Sequence, residues 1–555
     1  MHPAAEKTVQ IRLWYALIVI LIGLGVVFRV ANLDASVYWV DEVATSMRVS
    51  GYTQADVEQQ LAIGQPLTPD EVLDVQTIRG DRPRSDLMRV FTQSPEHAPL
   101  YFVLMRFWAE QFGTSVTAMR SLSIILSLLA LPVMYSLAGR LFQRPTGGVD
   151  ASLVSWTAMG LLAISPFFVA YAQEARPYSL WTLLLLLESQ TLWRSLQIHR
   201  FQTWVTYTLV LILTLYTSLL TVPLILGQGI LVMMGYPRQR RAYLLATGVA
   251  GLMFLPWCWT VLVQWQTLHD NTAWTQVPMP FWAVIGVMLY GLAVLFFDVP
   301  VAAGKPIILG LEIVTAIATL GLIGYGVVYV LRRTSKPARQ FILTALLTIP
   351  LVLITLDLVR NGQSAATPRY LIPTQLGVLL VMAYMISDRL FPPSRRWRII
   401  IAAVLSVSVL SCLIGINHTS TYQKSRNLSN PAIAALVNEG RSSQLIAEAD
   451  QLQDIISLSY QFDSDTRIYV MPPHRSAEEW VPTVIGGDRP VFFFNPSESM
   501  LKMVQSSDIG TLDLVFEPSK LIQDEIGLTL WTLDTNQAKF QSLTNDESSA
   551  IPASL

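Results

Sequence analysis

The chain has 555 residues, of which 52% are hydrophobic and 14% are charged, and its mean hydropathy is +0.44. Soluble proteins carry about a quarter charged residues, so this composition excludes an ordinary soluble enzyme and indicates a membrane protein. The formal net charge of −1 conceals two regions of opposite sign. Residues 1–417 hold 29 basic and 21 acidic side chains, whereas residues 418–555 hold 9 and 18. The two cysteines, Cys258 and Cys412, lie in apolar segments and predict no disulfide framework.

Segments of about 20 mostly apolar residues are long enough to cross a bilayer as helices. The first, residues 13–31, has no small-residue cleavage site soon after it, which predicts a retained helix rather than a signal peptide. The short loops rich in Lys and Arg all fall on one side if the chain crosses eleven times, and that side is the cytoplasm. The predicted spans are 13–31, 118–141, 151–170, 178–194, 204–220, 221–236, 242–264, 307–331, 340–357, 370–388 and 399–417.

Two other apolar segments must not cross if this orientation holds. In residues 98–113, Arg106 and Glu110 create an amphipathic pattern, which predicts a helix lying in the membrane interface. The second segment, 281–297, lacks a polar face. We expect neither segment to span the membrane.

The first external loop, residues 32–117, is too long to be only a connection. Its stretches 41–63 and 69–90 are predicted to be helices, and Thr68 or Asp70 is the expected N-cap of the second.

Beyond residue 417 the pattern changes to short strands that alternate with helices, which predicts a partly parallel sheet. The predicted strands are 444–449, 466–471, 490–495, 511–516 and 528–533, and the predicted helices are 431–439, 451–460 and 497–505. The predicted fold is therefore mainly α: a polytopic membrane domain, residues 1–417, with about eleven transmembrane helices and interfacial helices in its first external loop. A soluble extracytoplasmic α/β domain, residues 418–555, follows it.

Polar residues concentrate where the predicted topology meets the external membrane surface. They come from four segments: "YWVDEVATS" (38–46), "SPEHAPLY" (94–101), "AYAQEARPYS" (170–179) and "TPRYLIP" (367–373). Ionisable groups at membrane depth are energetically costly and usually mark a substrate path or a catalytic site.

These residue types suit a transfer from a phosphorylated lipid. Asp41 can act as a general base that takes a proton from an attacking hydroxyl or amine. Arg176, Arg369 and His97 could hold the anionic leaving phosphate, because arginine offers it a planar fork of donors. Aromatic side chains expected to face the membrane suit an apolar groove for the lipid tail, and these are Tyr101, Tyr171 and Tyr178.

Each of these positions also has a purely structural interpretation. Asp41 and Glu42 could form a solvated acidic loop or cap a helix. Residues 173–176, "QEAR", could be a tight turn with an internal ion pair. His97 could be an ordinary surface residue, and Arg369 could anchor a helix at the interface.

The four segments resemble motifs of the GT-C glycosyltransferases. The acidic pair after the first span resembles their catalytic loop, and "EHAPLYFVLMRFW" resembles their "H/K-P-P-L-Y-Y" motif. "LLAISPFFVAYAQEARPYSL" resembles "SPF…YSQEARMYAL", and "PRYLIP" resembles "RYLLP". The chain most resembles the bacterial members that include protein mannosyltransferases, lipid A aminoarabinose transferases and Rgt-type transferases. The resemblance covers roughly residues 10–390.

The resemblance implies an inverting transferase that uses a polyprenyl-phosphate sugar on the outer face of the membrane. Asp41 matches the general base that activates the acceptor, and Glu42 matches its acidic neighbour, which contacts the acceptor or the sugar. Eight further residues match positions that bind the donor phosphate or lipid: Glu96, His97, Tyr101, Glu174, Arg176, Tyr178, Arg369 and Tyr370.

The sequence departs from the family pattern at Ala98, where the family usually has proline, and we expect a looser turn there. His97 stands where some relatives have lysine, and a histidine can be neutral at pH 7. The relatives that transfer whole oligosaccharides use a divalent ion, for which Asp41, Glu42, Glu96 and Glu174 could form a cluster. Relatives with monophosphate donors work without metal, so we expect no metal and no other cofactor.

Two other classes of function remain open from the sequence. A transporter or flippase of lipid-linked sugar would also place polar groups at membrane depth, although transporters usually place them near the midplane and show paired repeats. A non-catalytic membrane scaffold that presents the α/β domain would need no such cluster. The expected partners are a polyprenyl-phosphate-linked sugar, a glycan, lipid or protein acceptor, and membrane lipids, but no nucleic acid. The expected location is a bacterial inner membrane, with the N-terminus in the cytoplasm.

Overall fold

A computed structural model describes residues 3–143, 150–299, 306–390, 394–417, 426–440, 442–485, 489–506, 510–518 and 528–534. Its helices are α1 (Pro3–Val30), α2 (Val40–Ser50), α3 (Gln54–Leu61), α4 (Pro69–Leu73), α5 (Leu87–Thr92), α6 (Leu100–Phe112), α7 (Val116–Leu141), α8 (Ala151–Ala163), α9 (Pro166–Ala172), α10 (Tyr178–Gln197), α11 (Phe201–Leu215), α12 (Thr221–Gly235), α13 (Arg240–Val263), α14 (Trp265–Asn271), α15 (Phe281–Ala293), α16 (Pro306–Arg333), α17 (Lys336–Arg360), α18 (Ile372–Arg389), α19 (Arg395–Gly415), α20 (Asn430–Glu439), α21 (Leu452–Ser459), α22 (Ala477–Val484) and α23 (Glu498–Ser506). Its strands are β1 (Gln444–Ala447), β2 (Arg467–Val470), β3 (Val491–Phe494), β4 (Thr511–Phe516) and β5 (Leu530–Asp534).

Internal contacts divide the chain into two compact units. The first unit comprises Met1–Ser36, Thr45–Gly51 and Ile78–Gln423. The second comprises Val37–Ala44, Tyr52–Thr77 and Lys424–Leu555. Two parts of the first loop, which the sequence analysis assigned to the membrane domain, are thus grouped with the C-terminal residues.

The first unit is a helical membrane bundle. Seven helices in the described part of the chain are long and apolar enough to cross a membrane, and the number is eight if α8 and α9 form one broken span. These seven are α1, α7, α13, α16, α17, α18 and α19. Helices α10, α11 and α12 lie in the remaining predicted spans, although α11 and α12, with 15 residues each, are shorter than the seven. The chain is a mainly helical, multi-pass membrane protein, as its sequence predicts.

The span predicted at 151–170 is a broken helix. Helices α8 and α9 meet at an angle of 58° around Ser165, directly before Pro166. Proline cannot donate the backbone hydrogen bond that would continue a helix, and its ring excludes the preceding helical turn. The break leaves carbonyl groups of α8 without helical partners, and the buried Arg29 of α1 donates hydrogen bonds to two of them, those of Leu162 and Ala163.

The two segments expected not to span are both short helices. Helix α15 has 13 residues and is therefore about 20 Å long, whereas the hydrocarbon core is about 30 Å thick. Helix α6 also has 13 residues, and its two faces differ. Arg106 is buried and donates to the carbonyl oxygen of Val49 at 2.8 Å, whereas Leu104 and Phe107 are exposed. The polar face of α6 therefore packs against protein and its apolar face is uncovered.

The first loop is more broken than its sequence pattern predicts. The single helix expected over 41–63 is wrong, because the chain turns at Gly51, which has a φ of +92°, between α2 and α3. The helix expected over 69–90 is also wrong, because only its ends, α4 and α5, are α-helical. Thr68 is the N-cap of α4, as predicted. Its hydroxyl accepts from the Glu71 amide, and the Glu71 carboxylate accepts from the Thr68 amide.

The second unit contains a five-stranded mixed sheet in the order β2-β1-β3-β5-β4. Strand β1 pairs in parallel with β2 and β3, and β5 pairs antiparallel with β3 and β4. All five predicted strands and the predicted partly parallel sheet are confirmed. Helix α22 was not predicted. It brings the buried Trp480 and Val481 into a core with Phe493 of β3. From the first loop, Leu67 forms a bridge with Ile468 of β2 within the same unit.

Candidate active site

Three arginine side chains of the first unit lie within electrostatic reach of His97. Arg48 lies in the last turn of α2, Arg176 in the turn before α10, and Arg369 in a short turn of 3₁₀-helix before α18. Each of the three guanidinium groups lies close enough to lower the pKa of His97. The sequence analysis predicted that Arg176 and Arg369 lie close to His97, and the structure places both of them there.

Partial burial and three nearby guanidinium groups favour the neutral form of His97. Loss of solvent around the imidazole is the largest cause that holds its pKa well below the usual value, and the repulsion from Arg48, Arg176 and Arg369 lowers it further. The side chain retains 26% exposure. At pH 7 the ring therefore adds hydrogen-bonding capacity to the cluster but no charge.

Arg176 is held by the turn that the "QEAR" segment forms. Its amide donates to the carbonyl oxygen of Glu174 at 2.8 Å, and its guanidinium donates to the hydroxyl of Thr45 at 3.3 Å. Both Glu174 and Arg176 are buried, at 1% and 2% exposure. A buried charge is costly unless it is compensated, so contacts of this kind are needed to hold Arg176 inside the first unit.

The other two arginines are held by different contacts. Arg48 donates to the Ser94 hydroxyl at 3.0 Å and lies 3.6 Å from the Glu96 carboxylate. Arg369 is half-buried, and its guanidinium lies 5.5 Å from the ring centre of Trp274 and 6.0 Å from that of Tyr370. Such cation–π contacts orient a guanidinium without neutralising its charge.

Glu96 is the acidic member of this cluster. Its carboxylate lies 3.7 Å from Nε2 of His97 and accepts a hydrogen bond from Asn271 at 3.1 Å. The turn that carries it closes with the amide of His97 donating to the Ser94 carbonyl at 3.0 Å. Ala98, in place of the usual proline, is buried, and the turn still forms.

The expectation that three tyrosines face the membrane is wrong. Tyr101, Tyr171 and Tyr178 are 0%, 3% and 9% exposed. The Tyr101 hydroxyl lies 2.9 Å from that of Ser123, and this polar contact holds its ring inside the bundle. Tyr171 packs edge to face against Tyr178 with ring centres 4.9 Å apart and lines a small cavity together with Ser179. Their roles in lipid binding stay predictions.

Asp41 and Glu42 belong to the second unit and occupy the first turn of α2. Glu42 is fully buried and Asp41 is half-buried, so they do not form a solvated acidic loop. Carboxylates in the first turn of a helix are stabilised by the N–H groups and the dipole of the helix end. Within this unit, the guanidinium of Arg426 lies within electrostatic reach of Asp41.

Sequence reasoning missed three residues around His97, namely Arg48, Asn271 and Trp274. Arg48 had a detectable signal, since it stands seven residues after Asp41 on one face of the same helix. Asn271 is the last residue of α14 and Trp274 lies in the short 3₁₀ turn after it, in a segment where the sequence analysis named no residue. In the described ranges, no three His, Cys, Asp or Glu side chains converge so that they could hold a metal ion.

No protein-family model and no curated protein sequence matches this chain. Several solved structures, however, are similar to this chain. ArnT from Cupriavidus metallidurans, crystallised with undecaprenyl phosphate, is 12% identical with a TM-score of 0.49, and the match covers 95% of this chain and 99% of that one. The oligosaccharyltransferase AglB from Archaeoglobus fulgidus, in complex with an inhibitory peptide and a dolichol-phosphate, is 12% identical with a TM-score of 0.46. That match covers 86% of this chain and 69% of AglB.

Proposed function

We propose that the protein is an inverting membrane glycosyltransferase that moves a sugar from a polyprenyl-phosphate donor to an acceptor. The observation that carries this proposal is the cluster of Arg48, Arg176 and Arg369 around a neutral His97. The class of donor comes from the motif resemblance. The proposed acceptors are a glycan, a lipid or a protein, and the proposed side of the reaction is the extracytoplasmic face of a bacterial inner membrane.

In the proposed reaction Asp41 removes the proton from the acceptor hydroxyl or amine. The acceptor atom attacks the anomeric carbon from the face opposite the phosphate and forms the new glycosidic bond. The bond between that carbon and the phosphate oxygen breaks, and its electron pair stays on the phosphate. The proton is left on Asp41, and polyprenyl phosphate is released.

The arginine cluster suits this leaving group because the charge on the phosphate rises during the reaction. The donor is a phosphodiester with one negative charge, and the released monoester carries a second as the bond breaks. Fixed guanidinium groups in a partly buried site stabilise the more charged state more strongly, which lowers the barrier. In this proposal no metal is required.

The test uses purified protein in detergent with a panel of radiolabelled polyprenyl-phosphate sugars and candidate acceptors. Release of polyprenyl phosphate is measured with and without chelator for wild type and Asp41→Asn. We expect release by wild type in the presence of chelator. We also expect loss of at least 10²-fold for Asp41→Asn, the usual minimum for removing a general base, with donor binding retained.

Three results would contradict parts of the proposal. Wild-type rates in Asp41→Asn would remove Asp41 as the base. Loss of release with chelator would require a metal. No release from any donor, together with movement of intact donor across vesicles that contain the protein, would identify a flippase instead.

A further inference from the structure

The chain enters α2 through a turn whose backbone is bound by C-terminal residues of the same unit. The carbonyl oxygen of Tyr38 accepts a hydrogen bond from the Ser457 hydroxyl at 2.7 Å. The amide of Val40 donates to the side-chain oxygen of Asn427 at 3.0 Å. These two backbone groups lie directly before Asp41, on either side of Trp39.

The hydrogen bond from the Val40 amide to Asn427 acts as the N-terminal cap of α2. The first amides of a helix have no partner within it and are usually satisfied by a Ser, Thr, Asp or Asn side chain at the preceding position. The residue before α2 is Trp39, whose side chain has no oxygen. Its carbonyl begins the helix by accepting from the amides of Glu42 and Val43. Asn427, almost 400 residues further along the chain, supplies the side-chain oxygen.

The orientation of Asn427 is fixed by its other contacts. Its amide nitrogen donates to Asp454 at 3.1 Å, and because a carboxylate only accepts, the amide oxygen must be the atom that faces Val40. Arg426 holds Asp454 with three hydrogen bonds, at 3.0, 3.2 and 2.6 Å. Asn427 and Asp454 are 0% and 1% exposed.

A second chain of contacts leads to the other anchored group. The Asn430 amide nitrogen donates to the Ser457 hydroxyl at 2.9 Å, and both residues are fully buried. The ring of Tyr460 packs on that of Tyr38 with centres 5.0 Å apart. The turn is therefore held by two hydrogen bonds and one ring contact, and the side chains that make the hydrogen bonds, Asn427 and Ser457, are fully buried.

We propose that the C-terminal domain positions the general base, with Asn427 as the cap of the helix that carries Asp41 and Ser457 as the second anchor of its backbone. This inference rests on the proposed function. It assigns to Asn427, Ser457 and the residues that hold them a part in catalysis without contact with the substrate. Arg426, which pairs with Asp454 and lies within electrostatic reach of Asp41, links this network to the carboxylate.

The test compares Asn427→Ala with Asn438→Ala. Asn438 belongs to the same domain and also makes two hydrogen bonds to backbone atoms, with Gln461 and Asp463, but these lie outside the Asp41 turn. We expect Asn427→Ala to lower kcat by at least ten-fold and to leave the donor KM within two-fold of wild type, because misplacement of a catalytic group by about 1 Å can cost 10²-fold. Asn438→Ala should retain wild-type kcat.

Hydrogen exchange of the amides at residues 40–44 gives a readout that does not need turnover. We expect at least ten-fold faster exchange in Asn427→Ala than in wild type or Asn438→Ala. Wild-type exchange together with wild-type kcat in Asn427→Ala would overturn the inference. If Asn427→Ala does not fold, kcat and amide hydrogen exchange are measured on Ser457→Ala instead, with the same expected results. Absence of turnover by wild type would contradict the proposed function alone, because the exchange result would still decide whether Asn427 caps α2.

Discussion

Arg176 combines a positive charge with almost complete burial, and this makes it the most informative side chain of the cluster around His97. A buried guanidinium has few water molecules to compensate it, so an incoming phosphate gains more from it than from an exposed arginine.

We expect Arg176→Ala to raise the Kd for the donor at least ten-fold, measured by binding of radiolabelled polyprenyl-phosphate sugar to purified protein. Arg360→Ala is the matched control, because Arg360 is exposed at the end of α17 and does not contribute to the pKa of His97. Equal affinities for the two variants would show that the cluster does not bind the donor phosphate.

The lowered pKa of His97 predicts a pH dependence of stability. The unfolded chain binds a proton near pH 6.5, while the folded chain stays neutral to a lower pH, so the unfolded state holds more protons in that interval. Stability attributable to His97 is thus complete above pH 6.5 and falls as the pH drops toward the folded pKa.

The slope is at most about 1.4 kcal/mol per pH unit. We expect wild type to lose more thermal stability than His97→Gln between pH 7.5 and 5.5. Parallel losses in the two proteins would mean that the imidazole is not shielded as the structure indicates.

The residues of the site were predictable where they follow a motif, and much less so elsewhere. His97, Arg176 and Arg369 stand in segments with a recognisable pattern. Arg48 was overlooked because a single arginine in a long external loop resembles an ordinary solvated residue. The tyrosines were expected at the membrane because an aromatic ring gives no sign in sequence of whether protein or lipid will cover it.

Among the elements, the break between α8 and α9 is held by a single side chain, that of Arg29. Arg29 donates to the carbonyl groups of Leu162 and Ala163 and to the hydroxyl of Ser127 at 3.0 Å. Gly25, one turn earlier in α1, allows this approach, since a Cβ there would overlap the Ala163 carbonyl. The "QEAR" turn follows directly after α9, so its position depends on this break.

Arg29→Met should therefore destabilise the fold by roughly 2–5 kcal/mol, because two buried carbonyl groups lose their donors. The measurement is thermal unfolding in detergent, with Arg12→Met, an exposed arginine of the same helix, as the control. A melting temperature equal to that of the control would mean that the carbonyl groups find other donors.

Local chemistry decided which elements could be predicted. The capping box at Thr68 and the period-two strands of the sheet carry their signals within a few residues. The breaks at Gly51 and between α4 and α5 were missed because the apolar pattern continues across them. Helix α22 was missed because it has only eight residues and includes Pro482.

At the scale of the whole molecule, the eleven-span prediction sets the sides of the membrane on which the loops lie. In a protein with Cys258 and Cys412 replaced by serine, a cysteine at Ser464, in the C-terminal domain, should react with a membrane-impermeant thiol reagent added to intact cells. A cysteine at Arg240, before α13, should react only after the cells are opened. Labelling of both positions from the same side would refute the five membrane crossings that are predicted between them.

The grouping of residues 37–44 and 52–77 with the C-terminal residues could not be predicted from the sequence. The hydrogen bond between Val40 and Asn427 joins positions far apart, and neither residue has a local pattern that names its partner. A single sequence contains no record of such pairings, whereas periodicity and motifs are visible within it.

The second unit is assembled from segments near both ends of the chain, which affects the order of events during synthesis. More than 300 residues separate Thr77 from Lys424, and a ribosome needs roughly 15 to 70 seconds to make them at typical rates. Throughout this interval the turn that carries Asp41 has been translated while Asn427 has not. A nascent chain therefore lacks the cap of its proposed base, and the enzyme would become competent only as its last quarter leaves the ribosome.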